Sequence, residues 1–254
     1  MAGIIEKAYG RAFKYALFMI NPFKKKVIKT ECEIHKFINF QALEILKNDK
    51  FFDAHCFFSD YIVDLNAGVV WADQDLKSSN HFYSPTRNKG LFGSSNAMSL
   101  AVEYYQKAKE YWFGDDINSS MFYLGAAVHL VQDMTVPHHA NIRLLDKHRQ
   151  YENFIKRTYV NTPIFAVDRG GYYLTGIEEF IRCNARNAIR IYSRLRDIQS
   201  YSKRYYTITK FTLPLAQKTT AGCLLDFYRD VSSRRDRGTG TLSHYFIDTA
   251  SAEV

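Results

Sequence analysis

Apolar positions recur at helical spacing along most of this chain, and the breaks between periodic stretches are few. Residues 3–20 set Ile4, Ala8, Ala12, Ala16 and Ile20 on one stripe against Glu6, Lys7, Arg11 and Lys14, and Asn21-Pro22 closes that helix. Residues 33–48 predict a second helix, with His35, Ile38, Ala42 and Leu46 on its inward face, and residues 51–70 continue as apolar helical chain. The pattern then changes. Residues 71–96 carry Asp, Ser, Asn, Pro and Gly at a density that predicts a long polar loop.

Helical periodicity returns over 97–113 and 117–133, the second capped by Asn118-Ser119-Ser120 and ended by Pro137. Another helix is predicted over 146–160, a loop over 161–174, and long helices over 175–195 and 200–231, the last kinked or broken near Pro214. The expected fold is all-α, a single multi-helix domain over residues 31–231. An amphipathic helix and basic linker (1–30) precede it, and a Ser-, Thr-, Arg- and Gly-rich loose tail (232–254) follows.

Composition supports this reading, with 13 Gly and 5 Pro in 254 residues. A net charge of +8 suits an anionic partner, and Lys24-Lys25-Lys26 behind the first amphipathic stretch fits a phospholipid membrane surface. The aromatic residues read as core rather than a base-stacking surface, so no nucleic-acid partner is expected. Cys32, Cys56, Cys183 and Cys223 form no CxxC pair and are expected to be reduced thiols. No apolar run is long enough to span a bilayer, and charges interrupt the N-terminal stretch where a signal peptide would be apolar. The expected location is cytoplasmic or peripheral on a bacterial membrane.

Against this background eight potential metal donors stand out: His35, Asp73, His81, His129, Asp133, His139, His148 and Glu152. His129/Asp133 and His148/Glu152 are each four residues apart, which sets both members on one helical face. Imidazole with carboxylate is a ligand set that zinc favours. Eight donors exceed one tetrahedral ion and suffice for two or three Zn2+ ions sharing a cleft, an arrangement that cleaves phosphate esters. Asp73 and His81 fall in the predicted loop.

The segments Trp71-Ala72-Asp73, Asn80-His81-Phe82-Tyr83-Ser84-Pro85, Phe122-Tyr123-Leu124-Gly125 through His129 and Asp133 to Pro137-His138-His139-Ala140-Asn141, and His148-Arg149-Gln150-Tyr151-Glu152-Asn153-Phe154 occur in a fixed order. Together they resemble the zinc-dependent bacterial phospholipases C, the family of the phosphatidylcholine-cleaving enzymes and of the alpha-toxin catalytic domain. The resemblance covers roughly residues 30–230 and implies an all-α domain shared with the zinc single-strand nucleases. By motif it implies Asp73, His81 and His129 as ligands of one zinc, and His139, His148 and Glu152 as ligands of a second. Asp133 would bridge to a third ion that His35 also binds. Asp73 would also hold the attacking water and act as the base.

The chain departs from that pattern where the processed amino terminus of the relatives completes the third site. Here Cys32, one helical turn before His35, is a further candidate ligand. His138 and His139 both follow Pro137, and the proline-x-histidine spacing favours His139. Gln74 and Ser78 stand where the relatives hold the headgroup, so choline selectivity is not expected. His55 and His244 match nothing and read as structural or surface residues. The implied function is hydrolysis of a glycerophospholipid to diacylglycerol and a phosphorylated headgroup. A single-strand nuclease and a non-catalytic membrane protein on the same scaffold are the alternatives.

Overall fold

In a computed structural model, residues 32–74, 80–90, 96–141 and 147–238 are described, with side chains through Ser233. Nine α-helices are assigned among them: α1 (Glu33–Asn48), α2 (Phe52–Asp60), α3 (Ile62–Gln74), α4 (Ala97–Phe113), α5 (Ile117–Asp133), α6 (Pro137–Ala140), α7 (His148–Thr158), α8 (Ile177–Leu195) and α9 (Tyr201–Gly238). A 3-10 turn spans Pro163–Phe165. The described residues contain no strand, only an isolated bridge between Ser84 and Lys89. The expected all-α architecture is observed. The amphipathic stretch 3–20, Ser78 and His244 lie outside the described residues.

Local chemistry fixes several helix ends. Asn96 and Ser99 form a reciprocal capping box at the start of α4. At α5 the cap is Asp116, whose carboxylate accepts from the Ser119 backbone N–H, and not the Asn-Ser-Ser run that follows. A carboxylate there also opposes the helix dipole favourably. Helix α5 ends at Asp133, and Pro137 opens α6 at a first-turn position where its missing N–H costs nothing. Helix α9 continues unbroken through Pro214 and past Ser232. Buried Leu213, Leu215 and Ala216 flank the proline, so packing holds the helix despite the lost backbone hydrogen bond.

Helix α5 is the axis of the larger core, with every residue from Leu124 to Asp133 buried. Helices α3 and α5 cross in backbone contact. A side chain at Gly68 would overlap the Phe122 carbonyl, and one at Gly125 the Leu65 carbonyl. Asp64 accepts from Asn118 before the crossing (3.3 Å), and Asp73 lies in the field of His129 beyond it. The two helices therefore run side by side in the same direction. A second apolar cluster, including Ile38, Tyr151, Ile155, Phe165 and Leu213, joins α1, α7, the 3-10 turn and α9. No described helix is long and apolar enough to cross a membrane.

Candidate metal centre

The polar end of α5 faces a cavity of about 340 Å³ lined by residues of α1, α3, α5, α6, α7, α9 and the 80–90 segment. Seven of the eight candidate donors line it: His35, Asp73, His81, Asp133, His139, His148 and Glu152. His129 stands beside them, its ring stacked on His35 with centroids 4.2 Å apart. Asp73 is not in a loop. It occupies the last turn of α3, because the apolar side of that helix continues through Val69 and Ala72 while Asp73 turns to the cavity.

Two sets of donor atoms lie within 4.8 Å of one another: His35, His129 and Asp133, and His139, His148 and Glu152. The second set is the trio expected from the resemblance. The first differs from the expected Asp73, His81 and His129, because His35 stacks directly over His129. Asp133 is the hub. Its oxygens lie 3.7 Å from His35 Nε2, 2.9 Å from His81 Nδ1, 3.2 Å from His129 Nε2 and 3.9 Å from His139 Nδ1. His148 Nε2 approaches Glu152 Oε1 at 3.0 Å. His138 is buried with its ring 5.2 Å from that of His148, but the ligand-spaced trio contains His139.

Hydrogen bonds set which imidazole nitrogen is offered. His35 Nδ1 donates to Gln132 Oε1 (2.7 Å), which leaves Nε2 as the lone-pair nitrogen beside Asp133. Gln132 is itself fixed, its Nε2 donating to Asn39 Oδ1 (2.8 Å) and Thr220 Oγ1 (3.2 Å), and Asn39 donates to Asn66 (2.8 Å). His139 Nδ1 donates to the His81 carbonyl (3.0 Å), which frees its Nε2. The sequence reading missed Gln132 and Asn39. Their one visible signal is an amide inside an otherwise apolar buried face.

Burial pushes the Asp133 carboxyl upward, but His129 and His139 outweigh it and hold it well below the ordinary carboxylate range. Asp73 is lowered in the same way: burial opposes the shift, and His129 and His35 prevail. Glu152 is lowered against burial by His148 beside it. Among the imidazoles, burial and then His129 lower His35. Asp133 raises His129 against burial, and burial brings His139 down to about 4.

Buried His81 Nε2 and His129 Nδ1 have no hydrogen-bond partner. Orphaned imidazole nitrogens among ionised acids are costly in a buried site unless a cation completes them. The donor chemistry and these orphans fit divalent metal.

Cys32 caps α1 with φ 48°, and Lys147 precedes α7 with φ 58°, both in the left-handed region. Each costs on the order of 1 kcal/mol for a side-chain-bearing residue. Both residues stand at the entrances of helices that carry candidate donors. The Cys32 thiol donates to Asp73 Oδ2 at 3.1 Å, and burial, then Asp73, push its pKa up. Gln74 is half-buried beside Asp73 and does not line the cavity. His55 accepts a structural role, its Nδ1 donating to the Leu43 carbonyl at 3.0 Å. The four cysteines are free thiols.

Comparison with known proteins places this arrangement in a lineage. Residues 34–213 match the family described as zinc dependent phospholipase C. A phospholipase C of Clostridium novyi is 23% identical over 235 residues, which cover 78% of this chain and 59% of that protein. A phospholipase C of Bacillus cereus is 28% identical over 150 residues, covering 53% of this chain and 52% of that protein. The chain thus spans little more than half the length of these relatives. Alpha toxin from Clostridium absonum has the same fold, with a TM-score of 0.70 at 21% identity over 79% of this chain and 64% of that one. With the family match covering well over half of its residues, the chain belongs to the zinc-dependent phospholipase C family.

Proposed function

We propose that this protein hydrolyses the phosphodiester of a glycerophospholipid at a membrane surface, releasing diacylglycerol and a phosphorylated headgroup. The observation that carries the proposal is the convergence of eight imidazoles and carboxylates from five helices and a loop on one cavity. Two or three zinc ions held by His35, His129 and Asp133 and by His139, His148 and Glu152, with Asp73 and His81 adjoining, would supply positive charge to the phosphoryl oxygens and acidify a water for attack.

The chain's own groups do the rest. Asp73, ionised and aimed into the cavity, accepts the proton of the attacking water; the nearby His35 and His129 stabilise its charge. Cys32 holds Asp73 Oδ2 in place by donating to it, which leaves the other oxygen for the water. Ile38, Ile155 and Leu213 form an apolar wall that accepts the glycerol end of the lipid and thins the solvent around the phosphate.

The test is incubation of zinc-loaded protein with phospholipid vesicles and, separately, with single-stranded DNA. Diacylglycerol and phosphorylated headgroup are expected, and Asp73→Asn should abolish both. Cleavage of DNA without lipid turnover would favour a nuclease. Phosphatidic acid as product would place the cut on the wrong side of the phosphorus.

A further inference from the structure

Lys156 is the one lysine or arginine lining the cavity among the described residues. It stands four residues after Glu152 on α7, on the same helical face and one turn, about 6 Å, further along the axis. Spacing of this kind ordinarily makes an intrahelical ion pair. Here Glu152 turns to His148 instead (3.0 Å), and among the described residues no carboxylate lies within ion-pair distance of Lys156. Glu33, which also lines the cavity, is held by Lys36 at 3.0 Å. The charge of Lys156 nevertheless reaches into the site, where it opposes the rise of the Cys32 thiol. Apolar Ile34, Ile155 and Leu213 line the same cavity, so a ligand oxygen entering it would meet an ammonium that no protein carboxylate holds among the described residues.

We propose that Lys156 is a specificity residue that selects glycerophospholipids with a non-cationic, oxygen-bearing headgroup, such as a glycerol headgroup, over those ending in an ammonium. The inference rests on the phospholipid reading above. With the phosphate seated among the imidazoles and acids, one helical turn outward is the reach of a small headgroup. At that point Lys156 donates to a hydroxyl or carboxylate oxygen and repels choline or ethanolamine. One charge-assisted hydrogen bond of ordinary strength is worth about tenfold in affinity.

The experiment uses zinc-loaded full-length protein and two soluble lipids below their micelle concentrations, dihexanoyl phosphatidylglycerol and dihexanoyl phosphatidylcholine. The readout is the ratio of their kcat/KM values. In parallel, calorimetry compares binding of the deacylated headgroups glycerophosphoglycerol and glycerophosphocholine. The wild type should prefer the glycerol headgroup in both assays. Lys156→Met should cut that preference about tenfold, while Lys156→Arg retains most of it. Arg157→Met, on the same helix but outside the cavity lining, should keep the wild-type ratio.

Absence of preference in the wild type overturns the proposal. So does an unchanged ratio in Lys156→Met, or an equal loss in Arg157→Met, which would mark general surface charge. If neither lipid is cleaved yet calorimetry shows a Lys156-dependent headgroup preference, the hydrolytic reading fails and the selectivity site stands.

Discussion

The two candidate donor trios differ in how the chain builds them. His35, His129 and Asp133 sit on long helices of the core. A chain of amides, Gln132 to Asn39 to Asn66, fixes His35 from behind. His139, His148 and Glu152 sit on the four-residue α6 and the start of α7, and the Glu152 side chain is 42% exposed. A side chain anchored by a buried hydrogen bond, as His35 is, holds its geometry before a ligand arrives, whereas a half-exposed one, as Glu152 is, adjusts to it. On the proposed reading, the inner trio would retain a metal and the outer trio would meet solvent and substrate.

The sharpest way to break this comparison is Asp133→Asn. Because Asp133 approaches His35 and His129 of its own trio, His139 of the other and His81 between them, the variant should lose metal throughout and lower activity by more than about 100-fold. Glu152→Gln should remove only the outer ion. Elemental analysis of both variants checks this, and equal losses would erase the distinction between inner and outer trio. Gly125→Ala should cost about 3 kcal/mol in urea unfolding, since the new methyl overlaps the Leu65 carbonyl in the helix crossing beneath the inner trio.

Gln132→Met is a gentler probe. It keeps the volume but removes the acceptor that orients His35. Metal affinity of the inner trio should fall about 10- to 100-fold, with the outer trio unchanged in a competition titration.

The smallest effect concerns pH. Ligands must shed protons to bind metal. Without metal, Asp133 raises the pKa of His129 while burial brings that of His139 down to about 4, so His129 holds its proton to the higher pH. As pH falls, the His129 ring resonances of the zinc-loaded protein should revert to their metal-free positions before those of His139. In this one respect His129 is the weaker competitor for metal.

What could be read from the sequence follows the same division. The pairs His129/Asp133 and His148/Glu152 were legible because four-residue spacing is a local code, and the all-α class followed from sustained periodicity with few breakers. Polar residues immediately after Asp73 give its segment the look of a loop, yet the last turn of α3 carries it to the cavity. The stacking of His35 on His129 depends on how α1 packs beside α5, and no spacing within either segment encodes it. Gln132 went unnoticed for a related reason: an amide's role is set by its partners, here residues 97 and 93 positions away. The α5 cap was misplaced by three plausible capping residues that follow the one actually used.

The glycine crossing has a consequence for the metal centre as well as for packing. Asp73 lies five residues beyond Gly68, about 7.5 Å along its helix, and His129 four residues beyond Gly125, about 6 Å along the other. Clamped backbone to backbone at a common mark, α3 and α5 work as two rulers laid edge to edge, and the acid and the imidazole are nearly level graduations. A methyl group slipped between them would slide one scale against the other and detune a centre it never touches.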